Sequence, residues 1–455
     1  MTNDNAVQQL QNEIQRFTQQ YPEIEDVDLI SMDISGHFFG KRYPIAQLEK
    51  LAKTGLKLPR ATYLRSSVGT TLTVGKFGFD DGDPDQDFQL VLGSLSKVPW
   101  DSTPRAQMLV STSPTEQPLF FEPRAVLVRV LEEFHNMGYY PTVAFELEYY
   151  LIDNQRTSNG LIKPPKVHIT GRQDSSALLS IDRIANFSDC NSEIIKSCEA
   201  QGIKTGALSA ELGPGQYELN LEHQNDVMLA ADQCAMFRRT VQAVSQKHGH
   251  QATFMAKPYL DAAGNGQHLH LSLYDKDGNN VLQANQDESL RHAIAGSLDL
   301  LPASMAILAP NSNAYRRYVS GNGVAVNISW GYENRTTAIR VPDSDSKNRR
   351  IEHRVAGADS NPYLTLACML AGIAHGLNVK QEPGAPNEGN ACEPGEGNEP
   401  SLPSHLRESL ELFGNSEPLQ KYLGESFVET YCQLKSAELI EFEQEITARE
   451  FEWYL

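Results

Sequence analysis

Hydrophobic residues recur along the chain in two periods, and the change from one to the other lays out its elements. Near the start, Leu10, Ile14 and Phe17 fall at helical spacing among polar residues, which predicts an amphipathic helix. Strand-like runs follow over 26–34 and 63–68, and FGFDDGDPDQDFQ, rich in Gly, Asp and Pro, predicts a loop. Beyond a Pro-containing joint at 97–104, PRAVLVRVLEEFHNMG reads as a helix stopped by glycine. This puts a domain boundary near residue 105, with a small domain over 1–105 and a large one over 106–455. Downstream, strands of period two interleave with helices. Asn361 is placed to cap a helix with Pro362 at its first position, and LTLACMLAGIAHGL is apolar nearly all round, hence buried. Residues 381–402, rich in Gly, Pro and Glu, predict a mobile surface loop, and the C-terminal end reads as helical and amphipathic. The class is α+β.

Four of the strands carry charge where a core strand has a second face to fill. In VAFELEYYLI, Phe145, Leu147, Tyr149 and Leu151 share one face, and Glu146 and Glu148 the other. GQYELNLEH sets Glu218, Asn220 and Glu222 opposite Tyr217, Leu219 and Leu221. Just upstream, Glu211 and the Gly213–Gln216 turn offer a way to bring two carboxylates together. GQHLHLSLY places His268 and His270 on one face, and RRIEHRVAG does the same for Glu352 and Arg354. Arg317, Arg335 and Arg340 lie in nearby segments. Taken singly, each has an ordinary structural reading, a solvated face or a satisfied histidine. Together they describe a lumen lined by acids and bases. Oxygen-rich donors with an imidazole suit Mg²⁺ or Mn²⁺ rather than zinc or copper. Arginines opposite them suit a carboxylate substrate and a transferring phosphate. The combination points to phosphoryl transfer from a nucleotide. No P-loop or kinase glycine-rich loop occurs in the sequence.

Composition narrows the classes further. Hydrophobic residues make up 40% and charged ones 21%, as in a globular protein. Lys and Arg number 39 against 58 Asp and Glu, a net charge of -19 that repels nucleic acid and anionic membranes. No apolar run approaches the roughly 18 to 20 residues of a membrane helix. MTNDNAVQQL has neither a basic start nor an apolar stretch, so no secretory signal is expected. Six cysteines without a CxxC pair read as reduced thiols, and the expected location is the cytoplasm.

From about residue 26 onward the chain resembles the glutamine synthetase family. The resemblance rests on FELEYYLID, SAELGPGQYELNL, ATFMAKP, GNGQHLHLSL, LAPNSNAYRRY, ENRTTAIRVP, and RRIEHR followed by NPYLTLA. SAELGPGQYELNL and SWGYENRTTAIRVP are closest to the branch that joins glutamate to organic amines, such as the γ-glutamylpolyamine synthetases. The resemblance implies an N-terminal β-grasp domain and a C-terminal catalytic domain with a curved antiparallel sheet. It implies a dodecamer of two hexameric rings with sites between subunits. It also implies two divalent ions, one held by Glu148, Glu211 and Glu218 and the other by Glu146, His268 and Glu352. Arg317, Arg354 and the Gly264 backbone would hold glutamate, and Arg335 would stabilise the transferring phosphoryl group. His270, Ser272, Arg340, Lys347 and Arg350 match positions near ATP. The expected product is a γ-glutamyl amide, formed through γ-glutamyl phosphate with release of ADP and phosphate.

Two departures bear on the amine. Glutamine synthetases bind and deprotonate ammonium with an Asp in the N-terminal domain and a Glu on a flap; Ser66 and Gly323 stand at those positions. Ammonium has no apolar part and needs such anions to replace its water, so their loss favours a larger amine over ammonia. Ordinary glutamine synthetase activity is the alternative. A non-catalytic scaffold would have no reason to keep all six candidate ligands. Ala263 stands where these enzymes usually have an Asn touching glutamate. A polyamine would call for carboxylates along its channel, with Glu333, Asp343 and Asp345 as candidates, whereas a small alkylamine or aromatic amine needs fewer.

Overall fold

A computed structural model describes the chain except residues 1–2, 113–116, 168–169, 284–286, 320–322 and 393–399. The opening helix, Asn3–Gln20, buries Leu10, Ile14 and Phe17 as its spacing predicts. A six-stranded sheet follows: β1 (Asp26–Met32), β2 (Phe38–Pro44), β3 (Leu56–Pro59), β4 (Asp85–Leu90), β5 (Ser96–Lys97) and β6 (Arg105–Ser111). Their order is β2-β1-β6-β4-β3, with β5 on β6, and β1 runs parallel to β6 at its centre. The boundary expected near 105 therefore lies at the first residue of the sheet's last strand.

Two local expectations are corrected here. Residues 63–68 form no strand: a helical turn at Arg60–Tyr63 leads into a loop closed by one bridge between Arg65 and Thr71. Tyr63 is buried by stacking on Phe88, so its apolar character serves the core without a ladder. Conversely, the second half of the expected 77–89 loop is β4, whose Phe88 and Leu90 alternate inward.

The second sheet has eight strands: β7 (Tyr139–Asp153), β8 (Thr205–Ala210), β9 (Gln216–Leu221), β10 (His250–Thr253), β11 (Gln267–Asp275), β12 (Trp330–Tyr332), β13 (Ile339–Val341) and β14 (Ile351–His353). The order is β12-β13-β14-β11-β7-β9-β8, with β10 pairing the far end of β7. It is curved and antiparallel except at its edge, where β12 runs parallel to β13. Helices cover its apolar face. Pro123–Asn136 and Val227–Lys247 pack on β7, and Asp287–Leu308 lies along Pro362–Val379. Asn361 caps the last of these, its side chain accepting from the Tyr363 and Leu364 amides.

Pro362–Val379 also corrects the expectation about apolar runs. By length and composition it could cross a membrane, but 78% of it is buried inside the protein, as a central core helix is. Residues 381–392 of the expected surface loop are tied to β12, where Asn387 N–H donates to Trp330 O and Trp330 Nε1 to Gly384 O. The stretch 393–399 lies outside the described residues. The C-terminal part is helical over Leu406–Gly414, Glu417–Leu423, Glu425–Glu443 and Ala448–Tyr454.

Candidate active site

Strand register assembles the charged residues. Directly opposed residues of an antiparallel pair share a face. Across β7 and β9, Glu146 stands opposite Asn220 and Glu148 opposite Glu218. Across β7 and β11, His268 stands opposite Glu146, and across β11 and β14 His270 stands opposite Glu352. Arg340 continues the row on β13, opposite Glu352. One sheet face thus carries the acids, imidazoles and guanidinium, while Phe145, Leu147, Leu269, Leu271 and Ile351 fill the core behind it.

The contacts are close. Asn220 Nδ2 donates to Glu146 Oε1 at 2.7 Å, and His270 Nε2 lies 3.1 Å from the same oxygen. His268 Nδ1 lies 3.6 Å from Glu146 and 3.8 Å from Glu352. Glu352 is nearly inaccessible; Arg340 donates to its Oε2 at 2.7 Å and Arg354 to its Oε1. The Glu148 carboxylate accepts from the Gly266 amide at 2.9 Å and from Gln216 Nε2 at 3.2 Å. Arg317 is buried beside them, held by the Val355 and Ala356 carbonyls. Gly264 is packed against its stem: a Cβ there would lie 2.8 Å from Arg317 Cγ.

Electrostatics divides the carboxylates into two groups. Burial opposes ionisation of Glu146 and Glu352, but histidines outweigh it at the first, and Arg354, the two histidines and Arg340 at the second. Glu146 is held well below the ordinary range and Glu352 is pushed down to about 2. Glu148, by contrast, is pushed up to about 7 by burial and the facing Glu211. Burial and the charges of Glu146, Glu148 and Glu211 push Glu218 up to about 9. Burial also raises Glu211.

Residues 120–454 match the family described as glutamine synthetase, catalytic domain. The chain belongs to the glutamine synthetase family. It is 39% identical over 450 residues to the gamma-glutamylputrescine synthetase PuuA of Escherichia coli strain K12, spanning 97% of this chain and 94% of that protein. It is 30% identical over 423 residues to a glutamate–isopropylamine ligase of a Pseudomonas species, spanning 91% and 92%. A glutamine synthetase of Pyrococcus woesei is 32% identical over 411 residues, spanning 89% and 88%. Among solved structures, a GmaS/ADP complex superposes with a TM-score of 0.84 at 22% identity over 96% of this chain and 98% of that one, a likeness of fold.

The remaining candidates from the sequence fall in three places. His270, Ser272 and Arg350 line a cleft of about 350 Å³ together with Glu146, Thr142 and Tyr274. There Arg350 Nε donates to His270 Nδ1 at 3.3 Å, and Ser272 Oγ donates to Arg349 O. Lys347 is exposed nearby, its carbonyl held by Tyr274 and Asn280. Arg335 is exposed on the turn after β12 and lines a separate cleft with Tyr332, Glu333 and Asn387. Its carbonyl accepts from Arg354 Nε at 3.1 Å. Ser66 is not brought to the carboxylate face at all. It is buried where residues 66–68 meet Asn311, Asn313 and Glu438. Gly323 is exposed, with a left-handed backbone at φ +70°.

The donor set fits divalent cations, because carboxylates crowded enough to hold protons at neutral pH lack positive charge. Among the described residues, two groups of atoms lie close enough to share an ion: Glu146, Glu218 and His268, and Glu146, His270 and Glu352. This differs from the expected ligand sets: Glu146 belongs to both groups, His270 joins one, Glu218 groups with Glu146 and His268, and Glu148 and Glu211 belong to neither. Register is the reason, since it sets His270 against Glu352 and His268 against Glu146. Sequence reasoning missed Gln216, although it shares the period-two face of Glu218 and Asn220. It also missed Glu333 as the second partner of Arg340, reached at 3.1 Å from a left-handed backbone at φ +50°.

Proposed function

We propose that this chain is an ATP-dependent ligase that joins the γ-carboxylate of L-glutamate to an organic amine, releasing ADP and phosphate. The observation that carries the reading is one sheet face bearing Glu146, Glu148, Glu218, His268, His270, Glu352 and Arg340 in register. The two amine-ligase relatives, similar along nearly their whole length, support it.

A carboxylate resists attack by an amine. Its oxygen must first attack the γ-phosphorus of ATP, with ADP leaving, to give an acyl phosphate. The amine nitrogen then attacks the acyl carbon, phosphate leaves, and the nitrogen gives up a proton. Glu148, Glu211 and Glu218, with Glu146, His268 and Glu352, would hold two Mg²⁺ or Mn²⁺ ions, which neutralise charge on the phosphate oxygens when bound. Arg317, Arg354 and the Gly264 backbone would orient glutamate. Arg335 would stabilise the transferring phosphoryl group, and Arg340 would lie on the nucleotide side. Arg350, His270, Ser272 and Lys347 would line the nucleotide side.

Ser66 and Gly323, neither of them an anion, would leave room for an alkyl or aryl group on the amine. The position of Ser66 away from this chain's own carboxylates supports a dodecamer in which it serves a neighbouring subunit. We place the division between the N-terminal and catalytic units after β6, beyond Ser111 rather than at 105, because β6 pairs with β1 and β4 of the first sheet, and we place the protein in the cytoplasm.

The test is phosphate release with mass detection of product, using ATP, Mg²⁺, L-glutamate and a panel from ammonia through alkylamines, ethanolamine and putrescine to aniline. One organic amine far outrunning ammonia supports the reading. Ammonia outrunning all others would make the protein a glutamine synthetase.

A further inference from the structure

Three consecutive carbonyls ahead of β11 each accept a hydrogen bond from a different side chain. Lys257 Nζ donates to Ala262 O at 2.5 Å, the Tyr150 hydroxyl to Ala263 O at 2.7 Å, and Gln216 Nε2 to Gly264 O at 3.0 Å. Asn265, fully buried, continues the series: its amide N–H donates to Ala256 O, and its side chain donates to Met255 O at 3.0 Å. A trans peptide points its C=O and N–H in opposite directions, so pinning three successive carbonyls also fixes the amide N–H groups of residues 263–265.

The pins reach from three separate parts of the fold. Tyr150 comes from β7, Gln216 from the start of β9, and Lys257 from the segment after β10. Gln216 Nε2 also touches Glu148 Oε2, so one carboxamide ties the segment to the carboxylate face. Its Oε1 accepts from the Gly213 amide at 2.9 Å, which fixes the orientation of the group. On its other side the segment abuts the Arg317 stem, and a Cβ on Gly264 would come within 2.5 Å of Ala256 O. Lysine is rarely this buried without a partner, yet Lys257 is only 4% exposed and spends its ammonium on a backbone carbonyl.

We propose that Tyr150, Gln216 and Lys257 are positioning residues that hold 262–264 in the shape that receives the amino-acid substrate beside Arg317. The inference rests on the glutamate–amine ligase reading. The three side chains act through the backbone and touch no reacting atom.

Tyr150→Phe removes one hydroxyl and keeps the ring. In the full-length protein with Mg²⁺, it should raise KM for glutamate by about tenfold, the worth of one hydrogen bond. KM for ATP should stay within about twofold. Lys257→Met should behave likewise, and Lys257→Arg should recover part of the loss. Calorimetry of glutamate binding in the presence of Mg²⁺ and ADP gives a second readout, without turnover. An unchanged glutamate KM in Tyr150→Phe and Lys257→Met would overturn the inference. So would a parallel rise in both Michaelis constants accompanied by a lower melting temperature, the mark of a merely structural role. Failure of the unsubstituted protein to bind glutamate would sink the ligase reading itself, and this inference with it.

Discussion

Arg340 donates to Glu352 at 2.7 Å from directly across the β13–β14 pair. Arg354 takes the other oxygen of the same carboxylate, so one buried acid holds two guanidiniums in place. Glu352→Gln should therefore act twice. Turnover should fall by about 100-fold or more, through loss of a candidate metal donor. Stability should fall by about 3 kcal/mol, because two arginines lose their common counter-charge. Phosphate release and a urea melt on the same sample measure both. Near-normal turnover would remove Glu352 from the chemistry.

At Gly323 the backbone is left-handed, and an added Cβ would meet nothing within 4 Å. Gly323→Glu thus has room, at a local conformational cost of about 1 kcal/mol. A carboxylate there should raise the ratio of kcat/KM for ammonia over that for the preferred amine by about tenfold, the worth of one charge-assisted bond. An unchanged ratio would mean that this position does not face the amine.

The polar face was legible because period-two alternation is local: Glu146 with Glu148, and His268 with His270, declare a shared side without reference to any other strand. Which donors meet was not legible, since that depends on register between strands distant in sequence, as with His270 and Glu352, 82 residues apart. Tyr63 shows the opposite failure. Its buried ring made 63–68 look like a strand, when the ring is buried by stacking on Phe88 while the backbone turns. The pins on 262–264 carried no sequence signal, because a tyrosine, a glutamine and a lysine donating to carbonyls form no motif.

Crowded carboxylates make metal binding visible in stability. With burial and like charges pushing Glu218 up to about 9, a cation that settles among Glu146, Glu218 and His268 binds only the folded chain. At about 100 times its dissociation constant, Mg²⁺ should add roughly 2.7 kcal/mol. Melting in Mg²⁺ should therefore lie a few degrees above melting in EDTA, and phosphate release should cease in EDTA. Glu218→Gln should shrink that gap. An equal gap in the variant would take Glu218 out of the metal site.

Asp33, just past β1, sets a pH dependence of its own. Its side chain is wholly buried, held by Arg65 at 2.7 Å and by the His37 amide at 2.8 Å, and its carbonyl accepts from the helix cap Asn361. Burial outweighs the pairing and pushes its carboxyl from 3.8 up to about 6. The folded chain thus keeps this proton longer than the unfolded chain does. As pH rises from about 4 to about 6 the folded state binds more protons, so this group's contribution to stability falls. The loss amounts to at most about 3 kcal/mol and is complete above that window. Asp33→Asn has nothing to titrate there. Its urea midpoint relative to the unsubstituted protein should climb between about pH 4.5 and 6.5 and stay level at higher pH. A difference that stays flat through that window would show that Arg65 keeps Asp33 ionised in spite of its burial.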